Sequence, residues 1–77
     1  MATAFATVLR RHRRQQAVSQ EALAERADLH PTYVSLIERF ERNPSLNVAR
    51  SLADALGIPL SALVQEAEEL QREADGR

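Results

Sequence analysis

No cysteine occurs in the chain. That removes a disulfide framework, thiolate metal ligands and a thiolate nucleophile in one step. Glycine is nearly as scarce, with only Gly57 and Gly76, so there is no glycine-rich loop to cradle a phosphate. The two histidines, His12 and His30, do not stand at the i,i+4 spacing that brings two ring nitrogens onto one helix face. No carboxylate cluster accompanies them, and no metal site is expected. No apolar run approaches the roughly 18 residues of a membrane span, and the N-terminus lacks the apolar region of a signal peptide. Alternating runs of β-branched or aromatic residues, the mark of strands, are missing. A soluble, intracellular chain with no cofactor is expected. It is not expected to be an enzyme, because no nucleophile–base pair, carboxylate pair or metal cluster is visible.

What is present is a length of 77 residues, enough for one domain with a modest core. The net charge is −1, but it is unevenly spread. Residues 1–50 carry eight arginines against five acids, a balance of +3, and residues 51–77 carry two arginines against six acids, a balance of −4. The positive field belongs to the first half. All ten basic residues are arginine. Arginine suits bidentate contact with phosphate or base, although GC-rich coding accounts for the bias more simply.

Helical spacing organises the whole chain. A first helix is predicted over Thr3–Gln15, with Phe5, Val8, Leu9, His12 and Gln16 on one face and Arg10, Arg11, Arg13 and Arg14 crowding its C-terminal half. Arg10 and Arg11 read equally well as a solvated face. Ser19 is a good N-cap for a second helix from Gln20 to about Ala27, and Asp28-Leu29 makes a turn. Pro31 starts a third helix with His30 at its N-cap. That helix runs to about Arg39, with Val34 and Ile37 inward and Thr32, Ser35, Leu36 and Arg39 outward. Ser45 caps a fourth helix whose inward stripe is Leu46, Ala49, Leu52, Ala53 and Leu56, ended by Gly57. A fifth runs from Leu60 to about Glu73 on a stripe of Leu60, Leu63, Val64, Ala67 and Leu70. The expected fold is all-α: a single domain over residues 1–73 of five compact helices, followed by a frayed tail at 74–77.

The two short helices on either side of Asp28-Leu29 have the spacing of a helix-turn-helix, which presents its second helix to the DNA major groove. Spacing alone also fits other helical hairpins. The string SQEALAERADLHPTYVSLIERFERNPSL, followed by ARSLADALGI, adds specificity. It resembles the phage repressor/Cro-type (XRE) helix-turn-helix family, and in particular the small restriction–modification controller proteins. The resemblance covers about Phe5 to Val64 and implies a repressor-like domain that binds double-stranded DNA.

It also implies roles for single residues. Pro31, Thr32, Ser35, Leu36 and Arg39 take the groove-facing, base-contacting positions. Gln20, His30, Tyr33, Arg42 and Asn43 take positions at the phosphate backbone, and Gln20 also buttresses the third helix. Arg13 and Glu38 match a salt bridge joining the first helix to the third, with spare Arg13 donors directed at a phosphate. A carboxylate beside Ile37 needs such a cation, since burying it unpaired is costly. Base-reading groups are few. Pro31 has no donor, Thr32 and Ser35 can bond a base edge, and Leu36 offers apolar contact alone. Arg39 suits guanine or phosphate equally. DNA shape is therefore expected to share the specificity.

The family pattern has glycine at three turns where this chain has Ala17, Asp28 and Phe40. For Phe40 this means a different helix end, a buried ring that compensates the strain, or a ring given over to contact with DNA or a partner. The fifth helix offers more apolar surface than a small core covers. A homodimer through Val64, Ala67 and Leu70 is therefore expected, with two-fold pairing on an operator. No small-molecule effector is expected, and the location implied is cytoplasmic, on the nucleoid. The competing expectation is a protein-interaction module, such as an antitoxin or a coactivator-like protein.

Overall fold

The computed structural model describes residues 2–76. Five α-helices follow one another: α1 (Ala2–Gln15), α2 (Gln20–Arg26), α3 (Pro31–Glu38), α4 (Leu46–Ala55) and α5 (Leu60–Asp75). No strand occurs among the described residues. Leu9, Leu23, Ile37, Leu52 and Leu63, one from each helix, are fully buried beside Val8 and Val34. Each such side chain contributes roughly 1.5–3 kcal/mol relative to exposure. Arginines apart, the face of α1 predicted from spacing is used twice. Its apolar members fill the core, and its polar members tie neighbours together: His12 Nε2 meets Glu66 Oε2 on α5 at 2.6 Å, and Gln16 Nε2 donates to the Leu56 carbonyl at 2.8 Å.

Local signals set the helix starts. Ser19 Oγ accepts from the Ala22 N–H at 3.0 Å, His30 Nδ1 from the Thr32 N–H at 3.1 Å, and Ser45 Oγ from the Val48 N–H at 3.2 Å. The helix ends repeat one closure four times. Ala17, Asp28, Phe40 and Gly57 all lie in the left-handed region, at φ 56, 58, 65 and 69°. In each case the following N–H reaches back five residues: Val18 to Arg13 O, Leu29 to Ala24 O, Glu41 to Leu36 O and Ile58 to Ala53 O. This is the Schellman closure, which satisfies orphan carbonyls at the cost of one left-handed residue. Only Gly57 takes that conformation freely.

Phe40 therefore follows neither of the two structural expectations, a different helix end or a buried ring. Its helix ends in the left-handed conformation, and its side chain is 53% exposed. The closure through Phe40 N–H to Ile37 O and Glu41 N–H to Leu36 O holds the backbone there. Left-handed geometry costs a residue with a Cβ about 1–2 kcal/mol. Phe40→Gly is expected to raise stability by about 0.5–1 kcal/mol, once the greater freedom of glycine in the unfolded chain is subtracted. Thermal melting should show a midpoint higher by about 2–8 °C; a lower midpoint would mean that the ring stabilises the fold.

Three further expectations are corrected. Leu46, placed in the inward stripe of α4, is 75% exposed. It stands at the first position of the helix, where the stripe runs past the rim of the core. Ala67, placed in a dimer surface, is completely buried. It lies in the shared core against which α1 and α5 pack, so a second copy cannot reach it. Of the expected frayed tail, Ala74 and Asp75 continue α5, since nothing breaks the helix before Gly76. Gln71 Nε2 bonds Asp75 Oδ1 at 3.1 Å, and the Gly76 N–H closes on Arg72 O at 2.8 Å. Met1 and Arg77, the ends of the expected domain and tail, lie outside the described residues.

Candidate nucleic-acid interface

The outer side of α3 is built on a buried ionic knot. Glu38 closes the helix and is 4% exposed. Its carboxylate accepts from Arg13 Nε at 2.6 Å, from Arg13 Nη2 at 2.8 Å and from Gln20 Nε2 at 3.1 Å. Arg13 Nη1 donates onward to the Val18 carbonyl at 2.9 Å. Thus α1, the turn after it, the start of α2 and the end of α3 are joined at one carboxylate. The hydrogen bond to Glu38 raises the Arg13 guanidinium above its ordinary value, outweighing burial. A raised value means that, while the Glu38 carboxylate stays charged, the guanidinium's contribution is present below the ordinary arginine range and is lost as the pH rises through it.

This geometry divides the expected phosphate residues. Every Arg13 nitrogen is bonded inside the protein, and its side chain is 11% exposed. Arg13 is thus foremost a strut, with little surface left for phosphate. Gln20 meets the buttressing half of its expected role through Glu38. His30 caps α3 through Nδ1, so its neutral tautomer carries the proton on Nε2 as a free-standing donor. Tyr33 is half-buried against the core, and the Arg42 guanidinium lies over its ring, 5.2 Å from the centroid. That cation–π contact holds the loop after α3 against the first turn of the same helix. Arg42 and Asn43 are otherwise exposed in that loop.

The expected base-contacting residues occupy one continuous surface. Pro31 and Thr32 are exposed at the N-terminus of α3, Ser35 and Leu36 are half-exposed a turn later, and Arg39 is exposed at its end. Arg39 Nε pairs with Glu41 Oε2 at 3.1 Å with both side chains more than half exposed, a weak contact that is easily exchanged.

Beside this surface the structure adds residues whose role the sequence left open. Arg10 and Arg14, one turn apart on α1, form a cleft of about 190 Å³ with Gln20, Ser35, Glu38 and Arg39. The arginines crowd one side of α3, and the only acid in the cleft, Glu38, is already paired. An open, polar, arginine-walled cleft of this size suits a phosphate group. The i,i+4 spacing of Arg10 and Arg14 was the available signal, but which way that face points depends on how α1 packs against α3. The residues expected at a dimer surface are dispersed: Val64 is half-buried, Leu70 rests on the core and Ala67 lies inside it. In place of Ala67, exposed Leu46 joins Val64, Leu60, Phe5, Ala2 and Pro44 around an apolar groove of about 290 Å³.

Comparison with known proteins agrees with this geometry. A family model described as Helix-turn-helix matches residues 9–63. The immunity repressor protein of Bacillus phage phi105 is 44% identical over 54 residues, which cover 70% of this chain and 38% of the repressor. Control protein C.BamHI of Bacillus amyloliquefaciens is 51% identical over 41 residues, covering 53% of this chain and 51% of that protein. The chain thus spans about half or less of the length of these two relatives. Among solved structures, the restriction-modification controller protein C.AhdI from Aeromonas hydrophila superimposes with a TM-score of 0.77 at 39% identity. That match covers 80% of this chain and 94% of C.AhdI.

Proposed function

The chain belongs to the helix-turn-helix family of transcription regulators, which are not enzymes, and from that premise we propose that it binds a two-fold operator in double-stranded DNA as a homodimer. The observation that carries this reading is the α3 surface itself, a polar face held rigid from behind by Arg13–Glu38–Gln20 and walled by Arg10 and Arg14. In this reading α3 lies in the major groove. Thr32 and Ser35 bond base edges, Leu36 touches a thymine methyl, Pro31 fits the groove wall, and Arg39 exchanges Glu41 for a guanine or a phosphate. His30 Nε2–H, the Tyr33 hydroxyl, Arg42, Asn43 and the spare Gln20 amide groups track the backbone, joined by Arg10 and Arg14. A cytoplasmic place on the nucleoid accompanies this role.

Two copies pair through the groove of Leu46, Leu60 and Val64. This keeps α5 in the interface but brings in the start of α4. A single α3 reads one half-site, and two-fold pairing sets two of them about 10–10.5 base pairs apart, centre to centre. Selection from a random duplex pool should therefore enrich two-fold related half-sites at that spacing. A pool with no enriched site would sink the reading. On the enriched site, Arg14→Gln should weaken binding to good and poor sequences alike. It should also lower the steepness of affinity against salt by about one phosphate contact per protomer. An unchanged salt slope would remove Arg14 from the interface.

A further inference from the structure

A second cavity, of about 380 Å³, opens on the other side of Arg10 and Arg14 and is lined as well by Thr7, Arg11, Gln15 and Phe40. Phe40 is one of two large hydrophobic side chains left exposed among the described residues, the other being Leu46. It stands there in a left-handed conformation that glycine would adopt without strain, and its ring gains little burial in return. A strained residue with an exposed apolar side chain points to use rather than packing. The charge around it has one sign, since three arginines and no acid line the cavity.

The two cavities that share Arg10 and Arg14 differ in chemistry. The inner one, with Gln20, Ser35 and Arg39, is polar throughout and suits phosphate. The outer one adds a phenyl ring, which a phosphate group does not complement. A ring set among guanidinium groups matches a ligand that carries both carboxylates and an apolar side chain. We propose that the outer cavity is a docking site for an acidic segment of a partner protein. The segment's apolar side chain covers the Phe40 ring, and its carboxylates meet Arg10, Arg11 and Arg14. A second copy of this chain is a poorer occupant. Its acidic α5 presents Glu68, Glu69, Glu73 and Asp75, but none of the large exposed hydrophobics lies on that helix. Because Arg10 and Arg14 wall both cavities, the partner sits at the edge of the α3 surface. This reaches beyond DNA binding, and its test needs no operator.

The probe is a synthetic peptide of alternating Asp and Glu with a central Leu-Phe pair, compared with the same peptide carrying Ser-Ser instead. Followed by NMR on labelled protein, the Leu-Phe peptide should shift the backbone amides of Arg11, Gln15 and Phe40. It should bind at least about ten-fold more tightly than the Ser-Ser peptide, as burial of the anchor requires. Phe40→Gly and Arg11→Glu should each lose about ten-fold or more of that affinity. Both variants should remain folded by thermal melting, and Phe40→Gly should keep its affinity for duplex DNA. Equal binding of the two peptides, or shifts confined to other faces, would overturn the proposal. So would a loss of duplex affinity in Phe40→Gly, which would assign the ring to DNA. Shifts at Phe40 that grow with protein concentration alone would assign it to a second copy.

Discussion

Glu38→Ala is expected to unfold the protein near ambient temperature, or to lower its melting temperature by about 12 °C or more. Removing the carboxylate strands the Arg13 guanidinium, which is 11% exposed, with one bond left to the Val18 carbonyl. It also frees the Gln20 amide that had bonded Glu38. Breaking one side of a buried ion pair costs about 3–5 kcal/mol. A domain of this size has only about 4–11 kcal/mol in total, so the loss is a large fraction of its stability. The knot joins three helices at one point, and its loss also releases α3 from the support that fixes its outer face. The paired replacement separates charge from packing. Arg13→Leu with Glu38→Leu leaves no uncompensated ion and should recover most of the lost stability. Calorimetry on the two single variants and the double variant reads this directly. A Glu38→Ala melting temperature equal to wild type would show that the knot contributes nothing to the fold.

Leu46→Asp should leave the monomer's stability nearly unchanged, because the side chain is 75% exposed. On the proposed dimer its effect should be large. A carboxylate on each side of an isologous contact meets its own copy and apolar neighbours, costing both repulsion and desolvation. The dimer should dissociate, and affinity for a two-half-site operator should fall by about 10²–10⁴-fold as the bivalent gain is lost. Affinity for an isolated half-site should hardly change. Sedimentation paired with gel shifts on full and half operators measures both quantities. If Leu46→Asp stayed dimeric, the two-fold surface would lie elsewhere.

Much of the fold was readable because it is written locally. Ser19, His30 and Ser45 cap their helices through bonds spanning two or three residues. The ends at Ala17, Asp28 and Phe40 close as the one at Gly57 does, through bonds spanning only five residues, but only the family pattern of glycine at these turns pointed to them. The Arg13–Glu38 pair was also legible, although 25 residues separate its members. A carboxylate beside a core isoleucine needs a cation, and the family pattern supplied one. Gln20's bond to Glu38 and the Val18 carbonyl's to Arg13 were not foreseen, because an amide and a carbonyl announce no partner in advance.

What the sequence determined by itself was the set of five helices, their caps and ends, and the order in which α2, the turn and α3 present a polar face. Tertiary packing alone decided which residues of each stripe are reachable. It buried Ala67, left Leu46 open at the rim, and turned Arg10 and Arg14 to wall the α3 surface. Periodicity gives the angle of a residue about its own helix, and that angle fixes a stripe. Whether the stripe ends in core, groove or solvent depends on where the neighbouring helices stop. The same holds for Phe40. Its strain was legible from the missing glycine, but its place among three arginines was set by the packing of α1 against α3.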